Sequence, residues 1–181
     1  LEMALIADGV ATDELYDVLT TSEGVDRAFR KLDEIKPHVK VWWAAGAQPP
    51  QLLADGEVTM VTAYNGRIYN AVAESGKAFE IVWDGAALDW DMWVIPKGAK
   101  NLDLSEKFVE FALRPENQAV QTRYISYGPS RTAATKLVDP EMLPHLPTSE
   151  ENMKTAFTVS PEFWADYGEE LTERFNRWLA Q

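Results

Sequence analysis

The sequence predicts an α/β fold, and three observations carry that expectation. Segments with helical spacing alternate with short runs rich in β-branched and aromatic residues. Those runs, at 39–43, 58–64, 79–83 and 91–96, follow or precede turn residues, and from Leu104 onward the chain reads almost wholly as helix. With 181 residues the chain is long enough to bury the core of one large or two small domains.

The opening "LEMALIADGV" has the spacing of an amphipathic helix. In "VDRAFRKLDEIKP", Val25, Phe29, Leu32 and Ile35 share one helical face, and Pro37 stops the run. "VKVWW" then reads as a strand, "AAGAQPP" as a turn and "QLLADGE" as a brief helix ending at Gly56. "VTMVTAY" reads as a strand, "NGRIYNAVAESG" as a helix closed by Gly76, and "FEIVW" as another strand, giving β-α-β-α-β over 39–83. "DMWVIP" is one more strand, followed by helices in "LSEKFVEFALR" and "PENQAVQTRYIS". The last helix has a legible start: Ser160 as N-cap, Pro161 at the first helical position and Glu162 in the first turn. Its stripe of Trp164, Tyr167, Leu171, Phe175 and Trp178 predicts a core-facing side. The change of texture falls near "DGAAL", residues 84–88.

Composition narrows the chemistry. A net charge of −12 opposes contact with a phosphate backbone, so no nucleic-acid partner is expected. There is no cysteine, hence neither a disulfide, a thiolate metal site nor a Cys nucleophile. His38 and His145 lack ligand spacing, which argues against zinc. No P-loop, GxGxxG or GxSxG motif occurs, and no cofactor is implied.

Four stretches hold candidate chemistry. In "ALDWDMWVIPKGAKN", a strand would turn Asp89, Asp91 and Trp93 to one face and Trp90 to the other. Two carboxylates beside aromatics suit either a glycosidase acid and base or a pocket for an organic cation; the plain alternative is a solvated turn. In "TAYNGRIYNA", Tyr64 ends a strand, Asn65 sits where a helix cap belongs, and Arg67 falls in the first turn, an unfavourable place for a cation unless a negative group is near. A buried Arg67 would offer a bidentate fork to a carboxylate; a solvated one needs no explanation. Trp42 and Trp43 face opposite ways on a strand, with core packing the simpler role. "YISYGPSR" carries Tyr124, Tyr127 and Arg131 around a Gly-Pro break, where Tyr127 either lines a site or packs under a loop.

Three runs taken together, "WWAAGAQPPQLLADGEVTMVTAYNGRIYNA", "WDMWVIPKGAKNLDLSEKFVEFALRPENQA" and "YISYGPSR", resemble the C-terminal portion of periplasmic solute-binding proteins of ABC importers, of the spermidine/putrescine type. The resemblance covers essentially the whole chain. It implies a two-lobed periplasmic-binding-protein-like (type II) α/β fold, here lacking its N-terminal part. Residues 1–83 would form most of the second lobe, 84–95 a hinge or crossover strand, and 96–181 the C-terminal helical part of the first lobe. It also implies a non-catalytic periplasmic protein whose partners are a small amine-bearing ligand, ABC permease subunits and the missing N-terminal segment.

By the same resemblance Tyr64 matches a ligand-stacking aromatic that is usually tryptophan, Asp91 an aspartate that pairs with a ligand ammonium, and Tyr127 a site aromatic. Asp89 falls where polyamine binders often have an aromatic. Arg67 is the departure, since putrescine binders carry an acid there, and a guanidinium repels an ammonium in a closed site. The ligand is therefore either a polyamine such as putrescine or spermidine, with Arg67 turned away, or an ω-amino acid such as γ-aminobutyrate, with Arg67 on its carboxylate and Asp91 on its amine. Charge favours the second. The rival class is a carbohydrate-active acid/base enzyme using Asp89 and Asp91.

Overall fold

The computed structural model describes residues 1–181. Helices α1 (Glu2–Ala7), α2 (Leu15–Leu19) and α3 (Ser22–Ile35) come first, and a 3-10 turn at Lys36–His38 follows where Pro37 stops α3. Then come α4 (Gln48–Ala54) and α5 (Asn65–Ser75), a short strand β1 (Ala87–Leu88), and α6 (Leu102–Ala112), α7 (Pro115–Gln121) and α8 (Thr132–Thr135). A 3-10 turn at Leu143–His145, strand β2 (Phe157–Thr158) and α9 (Pro161–Leu179) complete the chain.

These elements form two compact units. The first combines Leu1–Val39, Ala87–Asp89 and Ala156–Gln181. Leu5, Leu15 and Leu19 are completely enclosed in it, with Phe29, Phe163, Leu171 and Trp178 buried beside them. Losing one such leucine to alanine would cost about 2–5 kcal/mol through lost burial and the cavity left behind. β1 and β2 pair in parallel, Ala87 opposite Phe157 and Leu88 opposite Thr158, and the Val159 N–H extends the pairing to the Leu88 carbonyl at 2.8 Å.

Polar ties in this unit join residues far apart in sequence. The Glu2 carboxylate is buried and accepts from the Tyr16 hydroxyl (3.1 Å) and the Trp164 indole N–H (2.8 Å). The Tyr16 oxygen in turn accepts the Ser160 N–H at 2.9 Å, while the Ser160 hydroxyl caps α9 by accepting from the Phe163 N–H at 3.1 Å. Farther along α9, the Trp178 indole N–H donates to Asp33 at 2.6 Å.

The second unit combines Lys40–Ala86 and Trp90–Thr155. Ala119, Val138 and Leu146 form a buried cluster against which Met142 and Leu143 pack. The Asn152 amide fastens this region by donating to the Pro144 and Leu146 carbonyls at 3.0 and 2.8 Å. Helix α5 joins through Tyr69, whose hydroxyl reaches the Met142 sulfur at 3.1 Å and whose ring lies 5.0 Å from that of His145. Gly76 ends α5 in the left-handed conformation (φ 60°), which a glycine adopts without a Cβ penalty.

The structure departs from the sequence reading in three places. The runs 39–43, 58–64, 79–83 and 91–96 form no ladder, and the sheet consists of β1 and β2 alone. β-branched and aromatic composition states what a pleated surface tolerates; a strand also needs a registered partner for its N–H and C=O groups. Met60, Val82, Met92 and Val94 in these runs accordingly stay exposed. Second, the units do not follow the division at 84–95, because Leu1–Val39 packs with the last 26 residues, Ala156–Gln181, rather than with 40–83. Third, the buried side of α9 is Phe163, Leu171 and Trp178, with Tyr167 partly exposed and stacked on Phe163 at 5.0 Å. No helix is long and apolar enough to cross a membrane.

Candidate functional site

The site is built on the N-terminal turn of α5 and the loop 124–128. Tyr64 holds an extended backbone (φ −72°, ψ 123°) and serves as the N-cap position, without a side-chain cap. Asn65, expected to cap the helix, is instead its first residue and points its amide across to the loop, donating to the Ser126 carbonyl at 2.6 Å and the Ser126 hydroxyl at 3.3 Å. Ser126 is completely buried, so this tie is shielded from competing water. One turn on, the Asn70 amide reaches the Tyr124 carbonyl at 3.5 Å, and the loop is thereby held along α5 at two points.

Gly66 lets the two pieces approach. A β-carbon there would stand 2.5 Å from Ile125 Cγ1 and 2.8 Å from Tyr127 Cε1. The half-buried Tyr127 ring therefore rests on the backbone of the same turn that carries Tyr64 and Arg67. Beneath Tyr64 lies Trp43, its ring edge-on at 6.0 Å and its indole N–H donating to the Thr62 hydroxyl at 3.1 Å. Trp43, half-buried, thus packs against the site aromatic and not in the buried core.

Two opposite charges bear on the Tyr127 hydroxyl. Burial raises its pKa above the ordinary phenol value, the Asp91 carboxylate raises it further, and the Arg67 guanidinium acts in the opposite direction, with a smaller upward influence of Tyr64. Arg67 and Asp91 are both exposed, and neither takes part in an ion pair within the protein. An arginine in the first turn of a helix faces the positive end of the dipole, so a nearby anion is favoured there. The arrangement offers a cation, an anion and two flat aromatic rings around one short turn, which matches a molecule with an acid at one end and an amine at the other.

Tyr64, Arg67, Asp91 and Tyr127 all lie in the second unit, and the charges of the first three bear on the Tyr127 phenol. Asp89 belongs to the first unit, and the strand that would have turned Asp89 and Asp91 to one face stops at Leu88. Trp93 turns to α6, meeting Phe108 edge-on at 5.0 Å, and these two line a shallow apolar groove with Ile95 and Leu104. No group of three or more His, Asp or Glu side chains is placed to hold a metal ion. Sequence reading missed Gly46, Gly66 and the Asn65–Ser126 tie. Their only local signal is a glycine two or three residues after an aromatic, which carries no specific meaning by itself.

The model of the family described as bacterial extracellular solute-binding protein matches residues 1–148. The gamma-aminobutyric acid-binding protein of Pseudomonas aeruginosa is 49% identical over 181 residues, spanning 100% of this chain and 51% of that protein. The spermidine/putrescine-binding periplasmic protein of Salmonella typhimurium is 29% identical over 125 residues, 68% of this chain and 35% of that protein. Among solved structures, a GABA receptor superposes with a TM-score of 0.83 at 36% identity, covering 99% of this chain and 53% of that one. The chain thus spans about half the length, or less, of the relatives it matches.

Proposed function

This chain belongs to the family of bacterial extracellular solute-binding proteins, and we propose that it serves as the ligand-capturing component of an ABC importer for an ω-amino acid such as γ-aminobutyrate. The observation that carries the proposal is the pair Arg67 and Asp91, opposite in charge, unspent by internal ion pairs and both acting on Tyr127. In this reading Arg67 takes the carboxylate, Asp91 the ammonium, and Tyr64 and Tyr127 cover the methylene chain. A charge-assisted hydrogen bond at each end gives strength, and the fixed fork of the guanidinium gives orientation.

The 49% identical relative named for γ-aminobutyrate supports this ligand over a diamine. The relatives are named for binding, which supports a non-catalytic role, and the name of the spermidine/putrescine relative supports a periplasmic location. Its further partners in this reading are the permease subunits and the rest of the longer polypeptide whose relatives run to about twice this length.

Calorimetric titration of the full-length protein with γ-aminobutyrate, putrescine and spermidine tests the proposal. Arg67→Ala is expected to weaken γ-aminobutyrate about a hundredfold and to leave diamine binding equal or improved, in line with the roughly 1.5–3 kcal/mol of a hydrogen bond to a charged group. Unchanged γ-aminobutyrate affinity in Arg67→Ala sinks the zwitterion reading. Tight putrescine binding by the unaltered protein would favour the polyamine ligand instead.

A further inference from the structure

Gly46 lies in the turn between Trp43 and α4, and its backbone does not require a glycine, since its φ is not among the positive values of the chain. Space is the reason for it. A β-carbon on Gly46 would come within 2.9 Å of both Cδ2 and Cε2 of Tyr64 and 3.3 Å of Nε of Arg67. Contacts under about 3.0 Å force a neighbour to shift, which here is the Tyr64 ring, while at 3.3 Å the Arg67 guanidinium must give by a few tenths of an ångström. The turn itself is poorly able to yield. The Gln48 side chain accepts from the Ala44 and Ala45 N–H groups at 2.8 and 2.9 Å, and Pro49 next to it is fully buried.

We propose that Gly46 is a positioning residue: its bare backbone is the seat against which the Tyr64 ring and the Arg67 guanidinium rest, and so it sets the distance between the site's cation and its anion. That distance selects the chain length of the ligand. The inference rests on the reading of Arg67 as the carboxylate partner, but the seating of Arg67 by Gly46 is measurable without any ligand. Substitution by alanine displaces the guanidinium, and the preferred separation of acid and amine changes with it.

The experiment compares full-length wild type with Gly46→Ala in two measurements. The first is the affinity ratio among β-alanine, γ-aminobutyrate and 5-aminovalerate, which a general loss of stability lowers uniformly and a moved guanidinium does not. The expected result is a change of at least about fivefold in the ratio between two of these ligands, since about 1 kcal/mol separates them per fivefold. Equal losses for all three, or none, overturn the proposal. The second is the Nε–Hε resonance of Arg67 in the free, nitrogen-labelled protein, assigned by its disappearance in Arg67→Lys. Its displacement in Gly46→Ala upholds the seating, and an unmoved resonance overturns it. If wild type binds none of the three amino acids, the ligand reading fails while this resonance still decides the role of Gly46. Should Gly46→Ala fold poorly, Gly46→Ala/Tyr64→Ala removes the two ring contacts and retains the one to Arg67, and the same resonance is read there.

Discussion

The Tyr127 ring sits directly on the backbone of Gly66, so close that a β-carbon would stand 2.8 Å from Cε1. Loop and helix therefore share one surface at the point where Arg67 and Asp91 act. Gly66→Ala is expected to lower stability by about 1–3 kcal/mol, the usual cost of overpacking, even though alanine is the better helix former. Thermal or urea unfolding checks this, and a stability equal to or above wild type would show that the loop yields freely.

The helices were legible because their ends are written in local chemistry. Ser160 and Pro161 open α9, Pro115 opens α7, and Gly76 closes α5, each acting within one turn of itself. The β-rich runs were not legible in the same sense. "VTMVTAY" carries strand composition, yet pairing depends on distant residues, and in this chain the run has no ladder. The site divides along the same line. Tyr64, Arg67, Asp91 and Tyr127 were named by residue type and resemblance, and the structure gathers them in one unit. Pairing Asp89 with Asp91 on one face needs a continuous strand, and the strand stops at Leu88. Gly46 falls in a run that reads as a turn and Gly66 in one that reads as a helix, and neither signals a need for room until its neighbours are known.

Burial and Asp91 together hold the Tyr127 phenol above its ordinary value of 10.0. Folding therefore favours the protonated form. The resulting stabilisation is complete below pH about 10 and disappears as the pH rises through the higher folded value. Tyr16, also raised first by burial, acts in the same sense. We expect stability to fall on the alkaline side, and Tyr127→Phe to make that fall shallower. Denaturant unfolding across this range, with phenolate absorbance followed in parallel, is the measurement. A slope identical in wild type and Tyr127→Phe would remove Tyr127 from the account.

In the first unit, Tyr16 both donates to Glu2 and accepts from the Ser160 N–H. Tyr16→Phe deletes both bonds at once and leaves a buried carboxylate with one fewer donor. The expected cost is about 1–3 kcal/mol, the penalty of leaving buried polar groups unsatisfied. Ser160→Ala, which removes the cap on the Phe163 N–H and the hydroxyl's exposed donation to Glu162, should cost about 1 kcal/mol. Chemical denaturation of the two single variants and the double gives the coupling; strictly additive losses would mean that cap and network are independent.

The bond from the Trp164 indole to Glu2 joins residues 162 positions apart. Contacts of such sequence separation are slow to form, because a long loop must close before they contribute. The unit that holds α1 and α9 therefore depends on a join between distant parts of the chain, and no contiguous segment of it carries that unit alone.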